Sequence, residues 1–199
     1  SLEISKNYKL KKPLVVYNYF LGDLKNKITN SKNLIVLNDN SNLDLIEVNT
    51  DFSKNNFIYN NYTNIKIKKN SSFNNYSLQG SDSNGYFYKF VKVTQDNNSN
   101  YKDYIFTSGL KFNKIEENID INGEHANCNI QSALFLDNNS HQEIKTELKH
   151  LKPNSNSYQK IKNVLNKNSK GVYQGKIYVK DIAQKTDAYQ LSKALLLQD

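Results

Sequence analysis

The sequence predicts an all-β protein built from many short strands, and three observations support this class. Runs of β-branched, aromatic and other apolar side chains recur every ~8–12 residues. The segments between them are rich in Asn, Asp and Ser, which favour turns. The Asn-Gly signal of a two-residue hairpin occurs only at 84–85 and 122–123. A sandwich, a barrel or a β-helix fits this pattern, and the scarcity of hairpins favours a coil of parallel strands with no exact repeat length.

The predicted strands follow one another from residue 14 onward. The first is a β-branched and aromatic run after Pro13, and the second, residues 34–37, is continuously apolar, as expected of a strand buried on both faces. Apolar or aromatic residues alternating with polar ones indicate most of the others. These lie at 43–48, 65–67, 73–78, 86–93, 104–106, 119–121, 130–136, 144–148 and 177–179. One segment differs, because Ser157–Asn166 carries apolar residues at helical spacing and, read alone, predicts a short helix.

Asparagine, about a sixth of the chain, is predicted to form the connections. Its side chain bonds to its own turn and tolerates the left-handed conformation, so it can replace the scarce glycine. The predicted turns lie at 38–40, 55–56, 60–61, 74–75, 97–98 and 138–139.

The charge pattern bears on possible partners. The net charge is +8, and every one of the 27 basic residues is Lys. Because Arg makes most bidentate contacts to phosphates and bases, we expect no nucleic-acid partner. Codon bias towards A and T accounts for the abundance of Lys and Asn, so the basicity indicates mainly a solvated surface.

Few residues are candidates for catalysis or metal binding. The single cysteine, Cys128, excludes an internal disulfide framework, and no basic neighbour in the sequence would lower its pKa. The three histidines, His125, His141 and His150, are too few and too scattered to complete a metal site with it. No nucleophile elbow or phosphate-binding glycine loop is present. The chain has no apolar run of ~18 residues and no signal peptide, so we expect no membrane association.

The last stretch, Gly171–Asp199, is the only long segment without asparagine. It contains two glycines four residues apart, an alternating run, and the dense polar run Gln184-Lys185-Thr186-Asp187 between alanines. Such a run is either a solvated connection, which the composition favours, or a set of inward-facing polar groups that satisfy one another.

This C-terminal stretch resembles the SufB/SufD family of iron–sulfur cluster assembly proteins. The resemblance is strong from about Glu124 onward and weak before it. His141-x-Glu143, Thr146 and His150 resemble the family's spacing of a His-x-Asp, a Thr and a His. The other matching segments are Gly171–Val179, Ala183–Gln190 and Leu195–Leu197, with Pro153, Ser157, Tyr158 and Lys160 between, and Lys32–Ile35 and Leu45–Glu47 upstream.

Particular residues resemble the SufD branch. The sequence Ala-Gln-Lys-Thr-Asp-Ala at 183–188 has the SufD form. SufB-type chains usually carry a Cys just before the leucine run, where this chain has Lys193 or Ala194. The chain departs from the family's usual residues at two places, where Glu143 replaces an Asp and Ser192-Lys193 replaces Asn residues. These departures concern how polar side chains pair.

The resemblance implies a right-handed parallel β-helix over residues 1–199, as one core domain, and a strand where the isolated pattern predicts a helix. It implies a fragment that lacks an N-terminal region and the C-terminal helical region that docks the ATPase SufC. It further implies a non-enzymatic subunit that pairs with SufB. His141, His150, Gln184, Lys185 and Thr186 are then candidate interior or interface polar residues.

On this resemblance the chain alone binds no cofactor and no metal, and the nascent iron–sulfur cluster is held at the complex. The AT-rich bias together with a SUF-type protein suggests the stroma of an apicomplexan plastid (the apicoplast), with a bacterial cytoplasm as the alternative.

Two other functions remain open. A carbohydrate-active β-helix enzyme needs paired carboxylates, and the only close acidic group, Glu116-Glu117 with Asp120, is predicted to lie in a loop. A Lys-rich protein that binds an anionic partner is disfavoured by the missing Arg.

Overall fold

The structure is a computed structural model, and it describes residues 1–80 and 82–197. Within these ranges the chain forms fourteen β-strands and no helix. Odd-numbered strands form one seven-stranded parallel sheet, sheet A, and even-numbered strands form a second, sheet B. The chain therefore alternates between two sheets as it advances, which is a parallel β-helix of about seven turns, as the sequence predicts.

The strands of each sheet pair in the order in which they occur in the chain. Sheet A contains β1 (Leu2–Ile4), β3 (Ile28–Leu37), β5 (Ile58–Ile67), β7 (Ser83–Gln95), β9 (Leu110–Ile121), β11 (His141–His150) and β13 (Lys170–Val179). Sheet B contains β2 (Leu14–Phe20), β4 (Asn42–Asp51), β6 (Ser72–Gln79), β8 (Asn100–Thr107), β10 (Asn127–Leu136), β12 (Asn156–Leu165) and β14 (Asp187–Leu196).

The repeat is irregular, as expected. Paired residues in neighbouring turns are as few as 26 positions apart, as for Tyr86 and Phe112, and as many as 33, as for Leu2 and Ile35. Most of the length differences are absorbed by the turns, and one is absorbed by an irregularity in β7 between Ser83 and Tyr86, where the register with β9 shifts.

The core lies between the two sheets, where alternate side chains of every strand point inward. One apolar row of sheet A joins Ile35, Ile65, Val93, Ile119 and Leu148 across five successive turns, and all five are buried. Each row stacks similar side chains on one another, so a turn is stabilised mainly by its two neighbours.

Asparagine forms most of the tight turns. Thirteen described non-glycine residues have positive φ, and nine of them are asparagines. Their side chains also bond between turns: Asn40 donates to Asn7 and Asn70 donates to Asn40, each at 2.9 Å. The prediction that asparagine replaces glycine in the turns is confirmed.

Two of the predicted asparagine turns are wrong. Asn60–Asn61 lies in β5 and Asn74–Asn75 lies in β6. Their amides bond along the stack of strands, as when Asn60 Nδ2 donates to Asn30 Oδ1 at 2.8 Å. Neighbouring turns supply acceptors for the Nδ2 groups of these four asparagines, and a reading of one strand at a time does not include this contact.

Two other local patterns also differ. Ser157–Asn166 forms β12 and not a helix, because Ser157, Gln159 and Ile161 share the inward face with period two. In residues 34–37 only Ile35 and Leu37 are buried, and Leu34 is 38% exposed. This strand faces water on one side, since none of the residues that the structure describes forms a layer over the outer face of sheet A.

Candidate functional site

Polar and charged side chains interrupt the apolar core on the axis of the β-helix. We call this set the interior polar column, and its members face inward from seven strands: Glu47, Asn75, Lys89, Asp103, Glu117, Thr146 and Gln159. Asp103, Glu117, Thr146 and Gln159 are almost completely buried. Charges in such a position are stable only when they are paired or neutralised.

The first part of the column is an ion pair between Lys89 and Glu47. Lys89 Nζ lies 2.6 Å from Glu47 Oε2, and both side chains are less than a fifth exposed. Burial lowers the pKa of Lys89, but the Glu47 and Asp103 carboxylates outweigh it and raise the pKa above its usual value. Lys89 therefore stays charged and neutralises the interior.

Next to this ion pair lie two carboxyl groups, those of Asp103 and Glu117. Burial, and then the nearby Asp103 carboxylate, raise the pKa of Glu117 well above its usual range. Asp103 accepts a hydrogen bond from Asn75 Nδ2 at 2.9 Å and a longer one, 3.4 Å, from the Tyr101 hydroxyl. The raised pKa of Glu117 favours its protonated, neutral form in this interior position.

We expect Glu117→Gln to stabilise the protein at pH 7 and to have little effect near pH 4. The raised pKa means that native Glu117 keeps a proton that the unfolded chain releases above about pH 4.3. Stability is therefore highest below that pH and falls by up to about 1.4 kcal/mol per pH unit as the pH rises towards the native pKa. Urea unfolding at pH 4, 5.5 and 7 measures this slope, and an identical slope in both proteins would contradict the assignment.

Cys128 lies beside this carboxyl pair. Its side chain is 2% exposed, and burial, followed by Glu117 and Asp103, raises the pKa of the thiol well above its usual value. A protonated thiol is a poor nucleophile and a poor metal ligand. In this arrangement Cys128 is a neutral buried side chain.

The column continues to the last turn. Thr146 Oγ1 donates to Gln159 Oε1 at 2.6 Å, and the Tyr173 hydroxyl donates to the same oxygen at 3.0 Å. Beyond them, Gly175 faces the side-chain amide of Gln190, which occupies the space that a Cβ would need. The polar groups therefore extend from the acidic centre to the C-terminal end of the described β-helix.

The two predicted histidines lie on opposite sides of β11. His141 is on the outer face, with Nε2 2.9 Å from Glu143 Oε1 and its ring against Phe112. A hydrogen bond from Lys114, which outweighs the effect of partial burial, lowers the pKa of Glu143. His141 is therefore part of an outer-face network of charged groups.

His150 faces inward and is completely buried. Its Nδ1 lies 2.7 Å from Ser155 Oγ and its Nε2 lies 2.9 Å from Ser157 Oγ. Burial lowers the pKa of His150, so the ring is neutral and one nitrogen donates while the other accepts. Both nitrogens have partners, so the ring is held firmly in the core.

Gln184, Lys185 and Thr186 lie in the turn between β13 and β14. Gln184 Nε2 donates to the Asp181 carbonyl at 2.6 Å, and Thr186 Oγ1 donates to the Ala183 carbonyl at 2.9 Å. Lys185 is exposed and has a positive φ of 58°. Among the described residues, no hydrogen bond or ion pair joins any of the five predicted site residues to another.

The acidic group considered for a carbohydrate-active enzyme is in strand β9 and not in a loop. The alternation of the strand points Glu117 into the core, whereas Glu116 and Asp120 lie on the outer face beside Lys145 and Lys149. Glu117 therefore lies across the sheet from the other two carboxylates, whereas a glycosidase needs its carboxylates in one cleft.

The potential metal-binding side chains are dispersed. Within residues 1–80 and 82–197, no group of three or more His, Cys, Asp or Glu residues is arranged to hold a metal ion. In the same ranges, no helix is long and apolar enough to span a bilayer.

Comparison with known proteins bears on the family. Residues 20–199 match the model of the SufBD core domain, described as SUF system FeS cluster assembly. None of the curated proteins matches the chain. The match covers thirteen of the fourteen strands in whole or in part and includes the complete interior polar column. The chain therefore belongs to the SufBD core-domain family of the SUF system for iron–sulfur cluster assembly.

Proposed function

We propose that the chain is the SufD-type subunit of a SufB–SufC–SufD scaffold and that it pairs with SufB without catalysing a reaction itself. The branch is supported by the Ala-Gln-Lys-Thr-Asp-Ala sequence at 183–188 and by Lys193-Ala194 where SufB-type chains usually have a Cys. The neutral, buried state of Cys128 supports a structural rather than a chemical role, because a sulfur-carrying thiol must ionise.

In this proposal the nascent cluster is assembled at the complex and this chain alone holds none. SufC binds a helical region outside residues 1–199. The location is the stroma of a plastid of apicoplast type, with a bacterial cytoplasm as the alternative. The support for this location is the bias towards Asn and Lys.

The observation that carries the pairing is the last stretch of the chain, which lacks asparagine and ends in Leu195, Leu196 and Leu197. Among the described residues, β13 bonds only to β11 and β14 bonds only to β12. A strand edge is a template for another strand, and Leu195 and Leu196 are the last residues of β14. Strand addition by SufB would satisfy these backbone groups.

The hydrogen-bond pattern shows which residues form this edge. The amides of Asp187 and Leu197 donate to β12 and its extension, at Ser155 and Leu165. Because amides of a parallel strand alternate in direction, odd-numbered residues of β14, including Tyr189, bond to β12, and even-numbered residues, including Ser192, face the open edge.

We therefore expect Ser192→Pro to weaken association with the cognate SufB core at least about tenfold, the equivalent of one lost hydrogen bond with local distortion. The melting temperature of the isolated chain should change little, because no bond to β12 is lost. Pull-down followed by calorimetric titration measures the affinity.

Tyr189→Pro is the matched control for this experiment. It removes a donor to β12 and should lower the melting temperature of the chain itself. If Ser192→Pro binds SufB as tightly as wild type does, the β14 edge is not the pairing surface.

A further inference from the structure

The outer face of sheet B contains a shallow apolar groove, which we call the sheet B groove. Its apolar lining is formed by Leu78, Phe106, Ala133, Phe135 and Val164, and Lys162 also lines it. Leu78, Phe106 and Phe135 are 37%, 44% and 41% exposed, which is unusual for large apolar side chains that neighbour one another.

Strand register explains the shape of this groove. Leu78, Phe106 and Ala133 are in-register neighbours on β6, β8 and β10, and Phe135 pairs with Val164 of β12. The small side chain of Ala133 leaves a depression between larger neighbours. The depression runs across the strands, along the axis of the β-helix.

The charges around the groove have one sign. The outward-facing residues of β8, β10 and β12 include Lys102, Lys160 and Lys162 and no Asp or Glu, since Asp103 points inward. None of these three lysines forms an ion pair with a described residue, as the ion pairs all lie elsewhere.

The same turns on sheet A show the opposite arrangement. The outer faces of β9 and β11 carry Glu116, Asp120, Glu143 and Glu147, and each of them lies within 4 Å of a lysine nitrogen. Sheet A therefore neutralises itself, whereas sheet B presents unpaired positive charge beside an apolar depression. Basic bias in the genome would place lysines on both faces, but it does not explain why the outer faces of β8, β10 and β12 carry no acidic residue while those of β9 and β11 carry four.

We propose that the sheet B groove binds an acidic amphipathic helix of a partner protein. Side chains at i and i+3 or i+4 of a helix lie about 5–6 Å apart, which matches the spacing of about 4.8 Å between neighbouring strands. A helix laid across the strands places an apolar side chain over Ala133 and carboxylates near Lys102 and Lys162. This proposal is independent of the branch assignment and of pairing at β14.

The probe is a synthetic helical peptide of about 18 residues, or five turns, with Leu and Phe on one face and Glu along both borders. A second peptide carries Lys in place of every Glu. Fluorescence anisotropy should show that the Glu peptide binds at least about tenfold more tightly than the Lys peptide, and amide chemical shifts should move at Phe106, Ala133 and Phe135.

Two double variants localise the effect. Lys102→Glu with Lys162→Glu should weaken binding of the Glu peptide at least about tenfold. Lys66→Glu with Lys92→Glu, which changes exposed lysines on the outer face of sheet A, should change it less than about twofold. Ala133→Glu should abolish binding by filling the depression with a charge.

Three outcomes would overturn the proposal. The first is no binding of the Glu peptide at about 1 mM, and the second is an equal loss of peptide affinity in both double variants. The third is that phosphatidylserine vesicles bind to the wild type and not to the Lys102→Glu/Lys162→Glu variant, while the Glu peptide binds to neither. The last outcome would reassign the groove to an anionic membrane surface. Circular dichroism confirms that each variant keeps its strands.

Discussion

Replacing Gly123 with alanine should destabilise the protein severely, by more than about 4 kcal/mol. Gly123 lies between β9 and β10, and a Cβ there would meet the backbone of Asp96 and Asn97 in the preceding turn at less than 3.0 Å. That backbone cannot retreat easily, because Asn122 donates to the Gln95 carbonyl and Asn98 donates to the Glu124 carbonyl, both at 2.9 Å. The added methyl group must therefore separate two stacked turns.

Urea unfolding followed by circular dichroism measures the free energy of unfolding of this variant. Gly80→Ala is the matched control, since the only contact of a Cβ at that position with the described residues is Ser108 Oγ at 3.6 Å. Its effect should lie within about 0.5 kcal/mol of zero. Equal stability of the two variants would show that the close approach at Gly123 relaxes at little cost.

Replacing Lys89 with methionine should cost about 3–5 kcal/mol, because it leaves the Glu47 and Asp103 carboxylates in the interior without their cation. Denaturant unfolding at pH 7 measures this loss.

Lys145→Met is the control for charge loss, since Lys145 pairs with Glu116 at 3.1 Å on the outer face and is 44% exposed. A solvent-exposed pair of this kind contributes less than about 1 kcal/mol. If both lysine variants lose the same stability, the interior position of Lys89 has no special role.

The strands and many of the turns could be predicted from the sequence, because alternation and asparagine chemistry are local properties. The interior polar column was missed, although a signal for it exists. Lys89 lies on the same face of its strand as Phe87, Val91 and Val93, which are all apolar. Glu117 likewise lies on the same face of its strand as Ile115, Ile119 and Ile121.

A charged residue among apolar residues at every second position of a strand indicates a charge that faces inward. The partners of these charges could not be found in the same way. Lys89 and Glu47 are 42 residues apart, and they meet only because the turns differ in length and the two sheets face each other. The groove on sheet B could not be predicted for the same reason. It depends on Phe106 and Val164, which are distant from Ala133 in the sequence and become its neighbours only in the fold.

The stacking of each turn on its two neighbours has a consequence for how the molecule forms. Each strand pairs only with strands of the adjacent turns, and in-register partners are 26 to 33 residues apart. Pairing between strands therefore never requires the closure of a longer loop. Folding can then start in any adjacent pair of turns and spread in both directions, like the growth of a one-dimensional crystal. The cooperativity of the whole depends on the weakest junction between turns, and a substitution there would split one folding unit into two.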